Sequence, residues 1–382
     1  SHLPAEARLM ERTITATKIL HINRPFKLDC GETLPALDIA YELYGTPSPD
    51  NVILIEHALS GDAHAAFYHS GDEKPGWWDG MIGPGKAFDT DRYCIVCSNV
   101  LGGCKGTTGP ASINPATGKP YGLDFPPVSI RDMVDVQRTL LTHLGIERLK
   151  CVAGGSMGGM QTMQFFCDYS RMCSSFICIA SALKHSAQQI AFNEVGRRAI
   201  MADPRWNEGS YYGQVSPEAG LSVARMIGHI TYMSENLMQE KFGRSRKDRH
   251  TANIFRPTFE IEHYLDYQGI AFVKRFDANS YLYITNAIDN FDLITSISST
   301  GRTRGQGRGR GDIHDMRPKK GLVITFTSDW LYPPSQGLEI VKFFNALNVQ
   351  TSYTQINTDH GHDAFLTDIS AQTEIIKGFL AS

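Results

Sequence analysis

Apolar residues along this chain keep two different periods, and the switch between them divides it into three parts. Residues 17–28 and 34–43 alternate apolar and polar positions around Gly31-Glu32, which predicts an antiparallel strand pair. Short continuous apolar runs follow at 51–56, 93–100, 149–153 and 174–180. Runs of that length predict strands buried on both faces, as in a parallel sheet. Between the second and third runs, Met133, Val136, Leu140, Leu141 and Leu144 keep helical spacing. Ser129 with Asp132 three residues on caps that helix, and Gly145 ends it. A further helix is predicted at 157–166. The order β-loop-β-α-β-α-β argues an α/β protein with a mostly parallel sheet flanked by helices.

From about Leu183 the strand signal fades and helical stretches take over, at 187–202, 216–233, 235–242, 260–272 and 279–291. The core pattern resumes with a strand at 321–327, a helix at 335–347, a strand at 352–356 and a last helix at 369–380. The expected division is therefore a first part of the core at 1–182, a helical lid at 183–316 and a second part of the core at 317–382.

Composition narrows the class. A hydrophobic content of 42% with 20% charged residues predicts a globular protein with ample core, and a net charge of −3 suggests neither a nucleic-acid nor a membrane partner. No apolar run is long enough for a membrane span, and the first residues are polar without a secretory core. Eight cysteines fall mostly in apolar stretches. Cys94-x-x-Cys97 lies in such a run with no second pair, which predicts reduced buried thiols rather than a zinc or redox site. A cytoplasmic location is the expectation. The basic glycine-rich run at 301–311 predicts a mobile surface loop more readily than an RNA contact. Gly103-x-x-Gly106 lacks the rest of a phosphate loop.

Candidate chemistry centres on Gly154-Gly155-Ser156-Met157-Gly158, a G-x-S-x-G between a predicted strand and helix. In that motif a serine sits on a tight turn with Oγ exposed above the sheet. His57-Ala58-Leu59-Ser60-Gly61-Asp62-Ala63-His64 follows the strand at 51–56, and this loop and the residue after the serine supply oxyanion donors in such an arrangement. Leu59 and Met157 are the backbone candidates. His57 and His64 have no third ligand at a clear spacing, so packing or hydrogen bonding is expected of them and no metal site is assigned. Downstream, Asp329 follows a buried strand and Asp359-His360-Gly361-His362 follows the last one, giving the chain order Ser…Asp…His. Asp329 is preferred to Asp359, which is too close to the histidines to orient them; His360 and His362 remain alternatives on residues alone.

These motifs together resemble homoserine O-acetyltransferase, an α/β-hydrolase enzyme of methionine biosynthesis. The similarity runs along roughly residues 20 to 380. It includes the segments above, Gly361-His362-Asp363-Ala364-Phe365-Leu366, Asn193-Glu194-Val195-Gly196-Arg197 and Arg275-Phe276-Asp277-Ala278-Asn279-Ser280-Tyr281. The resemblance implies an α/β-hydrolase fold and a Ser156–His362–Asp329 triad. It implies acetyl transfer from acetyl-CoA, a co-substrate, to L-homoserine, with no bound cofactor. It casts Asp363 as partner of the homoserine ammonium, and Arg225, with Tyr232 nearby, as partner of its carboxylate. A homodimer through the lid helices is implied in the same way. Glu56 stands where the family has a small or thiol residue, and Ser60 where acetyl-specific members carry threonine. A succinyl donor, a serine acceptor, or an esterase or thioesterase on the same triad are the alternatives.

Overall fold

The computed structural model describes residues 12–247, 255–298 and 318–382. Strands β1 (Lys18–Ile22), β2 (Leu37–Tyr44), β3 (Val52–Glu56), β4 (Cys94–Ser98), β5 (Cys151–Gly155), β6 (Ser175–Ile179), β7 (Lys320–Phe326) and β8 (Gln350–Ile356) form one eight-stranded sheet. Their order across it is β1-β2-β4-β3-β5-β6-β7-β8. Only β2 runs against its neighbours, pairing antiparallel with β1 and β4, while every pair from β4 to β8 is parallel. The expected opening pair is present but shorter than its alternation suggested. Gly31, at φ +97°, turns a separate small hairpin of Phe26–Lys27 with Thr33–Leu34.

The continuous apolar strands serve two cores at once because successive side chains leave a strand on opposite faces. Val52, Leu54, Val152, Phe176, Cys178 and Val323 join one core. Their neighbours Ile53, Ile55, Ala153, Ile177, Ile179 and Ile324 join the other. Helices α1 (Ile130–His143) and α2 (Met157–Asp168) cover the first face. Ser129 and Asp132 form the predicted reciprocal cap on α1.

Between β6 and β7 lie the helices α3 (Ala187–Ala202), α4 (Glu218–Tyr232), α5 (Glu235–Lys241), α6 (Glu260–Val273), α7 (Ala278–Asp289) and α8 (Leu293–Ser298). The turn of α8 has no counterpart in the sequence expectation. Helix α4 packs against both α3 and α6, so it is the middle of this insertion. After β7 come α9 (Pro334–Ala346), β8, a short α10 (Ala364–Thr367) and α11 (Ile369–Ala381). The run at 301–311 and the boundary at 316 and 317 lie outside the described residues. The long glycine-rich loop after β4 is not slack: Thr107 and Thr108 accept hydrogen bonds from the Ala40 and Asp38 amides, seating it along β2. Among the described residues no helix is long and apolar enough to cross a membrane.

Candidate active site

Ser156 joins β5 to α2 with φ 58° and ψ −123°, a strained backbone conformation for a residue with a side chain. Its glycines have a steric cause. A Cβ on Gly158 would lie 2.2 Å from the Glu56 carbonyl oxygen, and one on Gly154 would lie 2.6 Å from the Gly158 backbone. Strand β3 and helix α2 therefore touch at the turn, and the serine is pushed up from the sheet.

The two other members arrive from loops at the ends of β7 and β8. His362 Nε2 lies 2.9 Å from Ser156 Oγ, and His362 Nδ1 lies 2.7 Å from Asp329 Oδ2. A carboxylate can only accept, so Nδ1–H donates to it and Nε2 is left to accept from Oγ–H. Asp329 and His362 are each 2% exposed. The other Asp329 oxygen accepts from the Leu331 and Tyr332 amides, which holds the carboxylate in place. His360 instead pairs with Asp368 on the exposed side. The pair of adjacent histidines is thus resolved by direction.

Around the imidazole stand the rings of Tyr332, Phe365 and Tyr232, at 5.0, 5.4 and 6.0 Å. Tyr332 is itself tethered: its hydroxyl lies 2.6 Å from His185 Nε2, and His185 Nδ1 lies 2.8 Å from Asp289. A narrow cavity of about 50 Å³ reaches Ser156 between Leu59, Met157, Tyr232 and Tyr332. The two backbone candidates for oxyanion donors therefore line the same cavity as the nucleophile.

Two buried devices shape those donors. The His57 ring is fully buried, with Nδ1 2.7 Å from the Ala58 carbonyl and Nε2 accepting from the Val100 amide at 3.1 Å. Burial lowers its pKa, so it is a neutral ring fixing the loop of Leu59. Gln161, on α2, donates to the His57 carbonyl at 3.0 Å and reaches the Met157 carbonyl at 3.4 Å. It accepts from Gln137, which also donates to Glu56. Burial raises the pKa of Glu56, the last residue of β3, well above its usual range. Sequence reasoning missed Gln161, Gln137 and Tyr332, whose polar side chains carry no spacing signal.

His64 belongs to a separate network. It, His69, Tyr44 and Thr17 all bond to Glu42, at 3.1, 2.6, 2.6 and 2.7 Å. Burial alone would raise the Glu42 pKa, yet these hydrogen bonds hold it below the usual value. Glu42, His64 and His69 have metal-ligand chemistry, but both carboxylate oxygens are already taken by donors. Cys94 and Cys97 are buried, and burial pushes the Cys94 thiol up to about 11.

Arg225 of α4 donates to Ser60 Oγ at 3.3 Å and lies 4.6 Å from the Phe272 ring centre and 5.6 Å from that of Tyr232. Burial raises the pKa of Asp363, while His362 and Arg225 pull it back. His229, one turn from Arg225, is pushed down to about 3 by burial and the neighbouring cations. Asp363 thus carries its carboxyl group near both His362 and the Arg225 cation.

A family model for the alpha/beta hydrolase fold matches residues 51–369. The homoserine O-acetyltransferase of Methanosalsum zhilinae is 52% identical over 370 residues, 96% of this chain and 73% of that protein. The crystal structure of homoserine O-acetyltransferase from Bacillus anthracis has a TM-score of 0.86 at 27% identity, covering 97% of this chain and 98% of that one. The crystal structure of esterase E22 has a TM-score of 0.84 at 31% identity, covering 96% and 100%.

Proposed function

The chain belongs to the α/β-hydrolase family and, within it, to the homoserine O-acetyltransferases, and we propose the following course for its reaction. Ser156 Oγ attacks the thioester carbonyl of acetyl-CoA as His362 takes its proton. Asp329 holds the imidazole tautomer and stabilises the imidazolium. The amides of Leu59 and Met157 receive the oxyanion; one such donor is typically worth about 3 kcal/mol of barrier. The CoA sulfur leaves with the proton from His362, and acetyl remains on Ser156. Homoserine then enters with its carboxylate on Arg225, its ammonium on Asp363 and Tyr232 alongside. Its hydroxyl gives a proton to His362 and attacks the acetyl carbonyl; the proton returns to Ser156 as O-acetylhomoserine departs. No cofactor is needed, because a thioester is already an activated acyl donor.

The observation that carries the reading is the Ser156–His362–Asp329 chain of contacts, with Asp363 next to His362 in sequence and Arg225 on the Tyr232 ring that flanks the imidazole. A simple hydrolase needs the first set and has no use for the second. The esterase neighbour shares the scaffold, so the deciding experiment is acetyl-CoA turnover with and without homoserine. Acceptor-dependent release of CoA, with an acetyl adduct on Ser156 lost in Ser156→Ala, is expected. Equal turnover without homoserine would make the protein a thioesterase. Presenting acetyl- and succinyl-CoA together and weighing the trapped acyl-enzyme identifies the donor.

A homodimer through the lid fits the exposed apolar side chains Val223 and Ile230 on α4 and Tyr267 and Ile270 on α6. Sedimentation as a monomer would remove it. Eight free cysteines favour a reducing, cytoplasmic setting.

A further inference from the structure

Two guanidinium groups meet at Ser60. Arg225 donates to its hydroxyl at 3.3 Å, and Arg275, from the turn between α6 and α7, donates to its carbonyl at 2.9 Å. Both also share one ring: their central carbons lie 4.6 and 5.0 Å from the centre of Phe272, which is buried. Among the described residues neither is in an ion pair, and Arg225 Nε is buried without a hydrogen-bond partner. Desolvation and the Arg225 charge together lower the pKa of Arg275.

Two like charges gathered on one residue repel, and an anion that joins them relieves the repulsion. Planar guanidinium forks suit a carboxylate, which can accept from two donors at once. The location says which anion. Asp363 lies within the field of Arg225, and Asp62 within that of Arg275. A multiply charged phosphate would meet two carboxyl groups there, whereas an amino acid puts an ammonium on the carbon that bears its carboxylate. We propose that Arg275 and Arg225 form a two-guanidinium clamp on the α-carboxylate of the amino-acid acceptor, with Arg275 setting the requirement for a charged carboxylate. The clamp stands on Ser60, next to Leu59, so the acceptor docks against the loop that carries an oxyanion donor.

This inference rests on homoserine being the acceptor, and the test separates the two. Steady-state kinetics of Arg275→Gln are compared with wild type using homoserine and its neutral amide, homoserinamide. The homoserine KM should rise about tenfold or more, since a charged hydrogen bond is lost, with little change in kcat. The preference for homoserine over homoserinamide should fall by the same factor, and Arg275→Lys should recover part of both. An unchanged homoserine KM, an equal loss on both acceptors, or a rise in the acetyl-CoA KM instead would each overturn the clamp; the last would assign Arg275 to a CoA phosphate. Wild type that fails to use homoserine would sink the underlying reading and leave a different signature. Acetylation of Ser156 without acceptor reports that the variant is folded, and Arg275→Lys carries the same comparison if Arg275→Gln is not.

Discussion

Trp330 Nε1 donates a 2.9 Å hydrogen bond to the Met233 carbonyl, fastening the loop that carries Asp329 to the end of lid helix α4. The other catalytic loop is tied to the same place. Ser234 Oγ donates to the Asp359 carbonyl, and a Cβ on Gly361 would lie 2.6 Å from the Ser234 amide. Gly361 has φ +71°, so glycine is required there twice over. The helical insertion is thus joined to both loops that carry the triad. Trp330→Phe keeps an aromatic ring facing Phe192, though a smaller one, and removes the donor. Stability should fall by about 1 kcal/mol, the usual net worth of one hydrogen bond. The ratio of acetyl transfer to acetyl-CoA hydrolysis should fall with it, because a loosened lid admits water. Denaturation and product analysis measure the two effects; an unchanged ratio would separate lid from chemistry.

Gly158→Ala places a methyl group 2.2 Å from the Glu56 carbonyl oxygen, in backbone that cannot retreat. A destabilisation of about 1–3 kcal/mol is expected from the overpacking, with Ser156 displaced. Slow or absent labelling by a serine-directed phosphonate, at a temperature where the variant is still folded, checks it. Normal labelling would mean that the elbow tolerates the methyl.

Glu56 makes stability depend on pH. Its folded pKa is raised by burial well above 4.5, so the folded state keeps a proton that the unfolded chain releases. Stability is therefore full below about pH 4.5 and falls as pH rises from there toward the folded value, by up to about 1.4 kcal/mol per pH unit. Glu56→Gln keeps a neutral side chain at every pH. Its stability relative to wild type should climb as pH rises above about 4.5; parallel curves would show that the fold does not raise the Glu56 pKa.

Asp363→Asn tests the ammonium partner. Removing the charge should raise the homoserine KM about tenfold or more, as for a lost charged hydrogen bond. Burial raises the wild-type pKa, so the carboxylate fills with its proton as pH falls through a value above the ordinary 3.8. The wild-type homoserine KM should rise on that acid limb, and the Asn variant should lack it. A limb that persists in the variant belongs to another group.

Much of this was legible in the chain because it is local. The strand-to-helix turn at Ser156 announces itself through glycines, since the contact of Gly158 with the Glu56 carbonyl forbids anything larger. The continuous apolar runs read as buried strands because both faces of a parallel sheet are covered. The cap of Ser129 and Asp132 needs only neighbours three residues apart. The opening strands were read too long because alternation continues through the small hairpin around Gly31, where the partner changes.

What the chain determined by itself was the set of residue types, their order and the local turns that present them. Tertiary structure decided which of His360 and His362 meets Ser156, a contact across 206 positions in sequence. It also decided that burial raises the Glu56 pKa, that Gln161 bonds the His57 and Met157 carbonyls, and that Arg275 and Arg225 meet at Ser60. Each of these depends on burial or on the direction of a side chain. Both are set by elements distant in sequence, and no local pattern records them.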